Sequence, residues 1–303
     1  MAKYTSYDTV GAKESVDDII SNLSPTDTPF QSLIGNEGIK AKLIEWQEDS
    51  LADVRDNAQV EGFTAADATL APTSLRDNTT QILEKTIKIS GSADAIDHYG
   101  RDKETAYQLR KASKELKRDF EYALVGTAQT KVTGDSSTAR KFAGVQAMIH
   151  ADVTTTAPDG DAGTGGVQTS PLTEDLIVDA GETLYNEGAD SSILMIKPSD
   201  SKIVAAFAKS AGRERDLKNE SKIVNVVDVY VSPFGECKVV MNRWLRATDA
   251  LLFDPSMWKK QTLRGWSRET LAKDGDNTKI MIVGEFSLKH RNFKGSGLIT
   301  NLS

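Results

Sequence analysis

The segment from Asp102 to Thr127, DKETAYQLRKASKELKRDFEYALVGT, constrains the fold of this chain more than any other. Leu109, Ala112, Leu116, Phe120, Ala123 and Leu124 recur at steps of three and four, which lines one face of a helix and marks that face for burial. Arg110, Lys111, Lys114, Lys117 and Arg118 occupy the remainder. Asp102 is placed to cap the start, Glu104 suits the positive end of the helix dipole, and Gly126 is placed to end the helix in a left-handed conformation. The spacing predicts a helix of about seven turns, well above the usual globular length, so the rest of the chain must supply a layer for it to pack on.

A chain of 303 residues can bury a sizeable core, in one large domain or two closely joined ones. Its 37 basic against 44 acidic side chains exclude a surface that coats nucleic acid as a whole and leave only local basic faces. The opening MAKYTSYDTVGAKESVDD lacks the apolar run of a signal peptide. No stretch approaches the roughly 18 consecutive apolar residues of a membrane span, so the expectation is a protein that stays in the cytoplasm or leaves by lysis, with no membrane contact. The lone Cys237, in the strand-like run ECKVV, reads as a small core residue that forms no intrachain disulfide.

Residues 1–16 are polar and read as an arm ordered by contact with something else. Val16, Ile19, Ile20 and Leu23 match a short helical face, which Ser24-Pro25-Thr26-Asp27-Thr28-Pro29 breaks, and Phe30, Leu33 and Ile34 follow as an apolar patch. Ile39 to Leu51 and Asn78 to Ser90 read as two strands separated by about 26 residues of low apolar content, and in both the alternation slips, at Leu43-Ile44 and Ile82-Leu83. The pair is expected to form a long hairpin that leaves the body. Such an arm cannot bury both faces alone, so it is expected to lie on a neighbouring subunit. Phe30, Leu33, Ile34, Trp46, Leu51, Phe63, Leu70 and Leu75 are the expected inter-subunit contacts. The other reading, a disordered surface loop, runs against the rarity of structureless loops above about 12 to 15 residues.

Beyond the long helix, a polar loop (131–140) and a Thr, Gly and Asp-rich loop lead to a helix from Thr173 to about Glu187, with Thr173 as cap and Leu176, Ile177, Ala180 and Leu184 on one face. Gly188 ends it. Ser192 to Ile196 reads as a buried strand, Pro198 as the start of a helix containing Ile203, Val204 and Phe207, and Ile223 to Val231 and Cys237 to Met241 as strands, giving a small α/β layer. Ala250 to Phe253, Lys260 to Leu271 and Lys279 to Leu288 read as strands, the last two joined by a Lys273-Asp274-Gly275-Asp276-Asn277 turn, with the long helix as their expected partner layer. The fold class is α+β.

The run ISNLSPTDTPFQSLIG, the strands leading into SGSADAIDHYGRDKETAYQLRKASKELKRDFEYALVG, the segment SILMIKPSDSKIVAAFA, and LLFDPSMWKKQTLRGWSRETLAKDGDNTKIMIVGEFSLKHRN together resemble the major capsid (major head) proteins of tailed bacteriophages that share the Hong Kong 97 capsid fold. The likeness spans most of the chain and rests on the order of the parts, with no single motif acting as a chemical signature. It implies an amino-terminal arm over 1–38, an extended loop over 39–90, a peripheral domain over 91–144 with a spine helix over 102–127, an axial domain over 145–250, and return strands over 251–303 that complete the peripheral domain. It implies a virion shell assembled in the host bacterial cytoplasm from copies of the chain, as hexamers and pentamers. Portal and possibly scaffolding or decoration proteins, and packaged double-stranded DNA, are the further partners implied. Some members of the wider fold lock their shells with a lysine to asparagine bond reached through the extended loop. No lysine stands between Leu43 and Glu84 here, so a non-covalent shell or a separate decoration protein is expected.

The search for chemistry is empty: the Gly-x-Ser-x-Gly elbow, the P-loop and the His-Glu-x-x-His motif are absent, and no catalytic residue, cofactor or metal site is assigned. His98, His150 and His290 stand apart from other ligands, the glycine cluster at Gly163-Thr164-Gly165-Gly166 reads as a loop, and Asp159-Gly160-Asp161 and Asp274-Gly275-Asp276 lack the distal Glu of a calcium loop. Trp244, Trp258 and Trp266 read as core or interface anchors. Arg110, Lys114, Lys117 and Arg118 could meet DNA by phosphate contact, or form a solvated face paired locally with Glu115, Asp119 and Glu121. Three functions stand: a capsid subunit, an encapsulin-like compartment shell, and a soluble α+β enzyme.

Overall fold

The computed structural model describes residues 26–52, 54–65, 67–97, 103–158, 169–210 and 229–303. The polar run 1–16, the short helix read from Val16 to Leu23, His98, Asp102, the loop holding Asp159 and Gly163, and the strand start at Ile223 lie outside the described residues. In chain order the elements are α1 (Pro29–Leu33), β1 (Gly35–Gly38), β2 (Leu43–Glu48), β3 (Ser74–Thr79), β4 (Gln81–Ser90), α2 (Gly91–Ala95) and α3 (Glu104–Val125). There follow β5 (Thr154–Thr156), α4 (Glu174–Asn186), β6 (Ile193–Ile196), α5 (Ser201–Ser210), β7 (Val229–Ser232), β8 (Gly235–Met241), β9 (Ala250–Phe253), β10 (Trp258–Thr270), β11 (Asn277–His290) and β12 (Ser296–Thr300).

The long helix α3 spans 22 residues and buries Ala112, Leu116, Phe120, Ala123 and Leu124, while Leu109 is half-buried beside Ile87, Ile282 and Trp266. Its ends differ from the sequence reading. The residue before the first turn is Lys103, which makes no side-chain cap; instead Asp94 of α2 accepts the Thr105 N–H at 3.1 Å. Gly126 stays right-handed (φ −98°), and the left-handed residue is Ala128 (φ 47°). Glycine is needed at 126 for a close approach: a Cβ there would stand 2.6 Å from the Trp244 carbonyl oxygen.

The strands divide into three sheets. A four-stranded sheet in the order β1-β10-β11-β4 supports α3, and a six-stranded sheet runs β5-β12-β9-β6-β8-β7. β6 is central to the second and buried at every position, as expected of an apolar run covered on both faces. α4 begins at the predicted cap, where the Thr173 side chain accepts the Leu176 N–H, and ends before Gly188 at φ +75°. α5 begins at Ser201, with Pro198 in the turn ahead of it.

Two expectations about strand partners are corrected. The arm is not built from 39–51 and 78–90: β2 pairs with β3, from Leu43 opposite Thr79 to Glu48 opposite Ser74, as a separate two-stranded ribbon. β4 turns away after Thr80 and joins β11 in the four-stranded sheet, so the slip at Ile82-Leu83 lies beside a change of sheet. Nor do all strands after Ala250 serve the layer under α3. β10 and β11 do, but β9 and β12 pair with each other inside the six-stranded sheet. A single apolar cluster joins the two larger sheets, with Phe120, Phe142, Leu194, Phe253, Trp258 and Leu288 among its members. Burying each such side chain contributes roughly 1.5–3 kcal/mol.

Candidate subunit interface

The stretch that joins β2 to β3, residues 49–73, carries the most exposed large apolar side chains of the described residues, and Leu75 at the start of β3 continues it. Leu51 is 97% exposed, Leu70 88%, Val60 77%, Leu75 61% and Phe63 55%. Leu51, Phe63, Leu70 and Leu75 were expected to meet another subunit, and the structure leaves all four uncovered by their own chain. The other four expected contacts are placed differently. Phe30 is fully buried between the rings of Phe253 (5.4 Å) and Trp258 (5.8 Å), Ile34 and Trp46 are buried, and Leu33 is half-buried against the same core. For Phe30, Ile34 and Trp46 the expectation is corrected, because their surfaces are already consumed within this chain.

Side chains at both ends of the ribbon fix it to the body. Asn78, fully buried, donates to the Leu288 carbonyl at 2.7 Å and accepts from the Ala143 N–H at 2.8 Å and the Thr79 N–H at 2.9 Å. Glu48 accepts the Phe293 N–H at 3.0 Å and pairs with Arg76 at 3.0 Å. Arg76 in turn lies over the Phe293 ring at 4.5 Å, and Trp46 is 6.2 Å from that ring. Phe293 is 6.0 Å from His290, which stacks on Trp258 at 3.9 Å.

His290 is a satisfied core histidine. Its Nδ1 faces the Met148 carbonyl at 3.2 Å and its Nε2 faces Ser296 Oγ at 2.9 Å, while Trp258 Nε1 donates to the same Oγ at 3.0 Å. Because the Met148 carbonyl can only accept, the neutral tautomer carries its proton on Nδ1, and Nε2 accepts from the Ser296 hydroxyl. Burial holds its pKa down at about 3, against a smaller upward pull from the Met148 carbonyl. His150 instead pairs with Asp152 at 3.2 Å on the surface.

A cleft of about 680 Å³ opens beside the end of the ribbon at Glu48, lined among others by Glu48, Asp49, Arg76, Glu187, Asp190 and Lys294. Lys294 bridges Glu187 and Asp152, each at 2.9 Å, and so spends its charge on the cleft wall. No group of three metal-ligating side chains occurs among the described residues. Asp274 is paired with Lys88 at 3.0 Å, whose hydrogen bond holds the carboxyl below the usual range. Cys237 is buried, and burial pushes its thiol up, away from nucleophilic use.

On α3, Arg110, Lys114 and Lys117 are exposed, and Arg118 is half-buried with its guanidinium 5.5 Å from the Trp244 ring. The local pairing expected for this face is corrected at two positions. Glu115 reaches across to Lys85 of β4 at 2.5 Å. Glu121 is fully buried: it accepts the N–H groups of Phe30 at 2.8 Å and Gln31 at 3.0 Å, and the Asn242 side-chain amide at 2.8 Å. Burial pushes its pKa up, and these hydrogen bonds oppose the shift. The sequence signal for it was the widening of the apolar stripe after Phe120, where Ala123, Leu124 and Val125 stand together. For Arg76, Asn78 and Phe293 the sequence holds no comparable signal.

Comparison with known proteins places this architecture. The family model described as SU10 major capsid protein matches residues 3–303. The major capsid protein of Escherichia phage Phieco32 is 35% identical, with 98% of this chain and 96% of that protein covered. Among solved structures, the capsid asymmetric unit of cyanophage A-1(L) superposes with a TM-score of 0.70 at 12% identity, covering 98% of both chains. The encapsulin of the holo-SrpI complex from Synechococcus elongatus PCC 7942 superposes with a TM-score of 0.60 at 9% identity, covering 97% of this chain and 93% of that one, a likeness of fold alone.

Proposed function

The chain belongs to the SU10 major capsid protein family, structural proteins of the phage virion capsid, and from that membership we propose that its ribbon is the element through which copies close into an icosahedral shell. The observation that carries this is the stretch between the ribbon's two strands and the start of β3, where Leu51, Phe63, Leu70 and Leu75 are apolar and 55–97% exposed. Apolar side chains left in water in this way carry a solubility cost unless another surface covers them. In this reading the four-stranded sheet with α3 forms the peripheral domain and the six-stranded sheet with α4 and α5 the axial domain. Of the stretch 1–38, α1 and β1 belong to the body, with Phe30 in its core and β1 paired with β10. Subunits gather as hexamers and pentamers in the cytoplasm of the host bacterium, with portal and possibly scaffolding or decoration proteins, and enclose double-stranded DNA. The shell is held by non-covalent contacts, in keeping with the absence of lysine between Leu43 and Glu84.

Electron microscopy of the purified protein, with light scattering for mass, tests this. Closed shells or hexameric and pentameric rings are expected, and density inside particles recovered from infected cells separates a genome container from a cargo compartment. A monomer that forms no shell, alone or with portal and scaffolding proteins, would overturn the reading.

A further inference from the structure

We propose that Phe293 is a positioning residue that sets the angle of the β2–β3 ribbon against the body. The ribbon joins no other sheet, so no continuous ladder of backbone hydrogen bonds orients it. Its direction therefore depends on side chains that reach the body, and Phe293 gathers three of them towards the end away from Asn78. Its N–H is taken by Glu48, its ring lies under the Arg76 guanidinium, and Trp46 packs on it. Glu48 and Arg76 also pair with each other at 3.0 Å, closing a ring of contacts across both strands. Behind it, the stack through His290 to the fully buried Trp258, and the Phe293 carbonyl accepting the His150 N–H at 2.9 Å, leave Phe293 little room to move. Asn78 fixes where the ribbon starts; Phe293 fixes where it points. The contact between the Phe293 ring and the Arg76 guanidinium biases the pose of the free subunit, and a neighbouring subunit that engages the ribbon can outweigh it.

The relevance of this lock to a shell rests on the assembly reading above, but the lock itself is measurable on the unassembled full chain. Spin labels at Glu45→Cys on the ribbon and Tyr185→Cys on α4 report its pose, since the native Cys237 is buried. One narrow distance distribution is expected with Phe293 in place, and at least a doubling of its width in Phe293→Ala, with recovery in Phe293→Tyr. Arg76→Ala, which alters a partly exposed side chain and leaves the Phe293 ring in place, gives the same broadening. An unchanged distribution in both Ala variants overturns the proposal, as does broadening that appears only together with a fall in overall stability. A chain that shows the lock yet builds no shell would overturn the assembly reading and leave this one standing.

Discussion

Glu121 holds the Phe30 N–H at 2.8 Å, so a carboxylate in the buried face of the long helix caps the short helix α1 from 91 residues away in the chain. With the Gln31 N–H and the Asn242 amide on the same carboxylate, it ties α3, α1 and the turn after β8 into one polar knot inside an apolar core. The Trp244 indole N–H donates to the Asp27 carbonyl at 2.8 Å and closes the same corner from the surface side. Phe30 is thereby seated before the chain passes to β1.

Glu121→Ala leaves three donors without their buried acceptor, each costing roughly 1–3 kcal/mol, so a loss of about 3 kcal/mol or more is expected by urea denaturation. Glu121→Gln keeps one acceptor and removes the charge, and should lose clearly less. The raised pKa fixes the sign of the pH effect. The folded chain binds the proton more tightly than the unfolded one, so this group's contribution falls as pH rises from about 4.5 through the raised value. Glu121→Gln should flatten that part of the profile.

His290 works in the opposite sense. Its folded pKa of about 3 lies below the ordinary 6.5, so the unfolded chain takes the proton first and stability is lost as pH falls from 6.5 towards 3. The slope should approach about 1.4 kcal/mol per pH unit in that window. Denaturation curves for His290→Gln against the parent chain should show this slope gone.

Phe63→Asp with Leu70→Asp should leave the subunit's own stability within about 0.5 kcal/mol, because both side chains are exposed within the chain. Shell formation should be abolished, as seen by light scattering. Assembled parent shells boiled in detergent and reductant should run as a single 32.9 kDa band; a ladder would show covalent bonds between subunits.

Gly126→Ala is expected to cost about 1–3 kcal/mol by thermal unfolding. The added Cβ would meet the Trp244 carbonyl, a backbone atom held in place by its neighbours, at 2.6 Å. Ala128→Gly, at the left-handed position, should by contrast be neutral or stabilising.

Reversing Arg110 and Lys114 to Glu tests whether the basic face meets packaged DNA. Both are exposed, so folding should be unaffected. Reduced genome retention is expected if the face contacts phosphates; unchanged retention assigns it to solvent.

The sequence by itself determined the elements whose signal is local. The period from Leu109 to Leu124, the Thr173 cap, the stop at Gly188 and the buried run of β6 each follow from how neighbouring residues along the chain share a face or a turn. The order of these parts also carried the family likeness. Only the tertiary structure decided which surfaces meet. Periodicity reports that a face is buried and is silent about what covers it, so nothing local told Phe30 from Phe63 or put Glu121 inside. β9 and β12 stand directly before β10 and directly after β11 in the chain, but pairing places them in a different sheet. The ribbon's return strand was misplaced for the same reason: Ser74 to Thr79 is polar, and it is held by backbone bonds to β2 and by Asn78, interactions that leave no pattern in the chain before it folds.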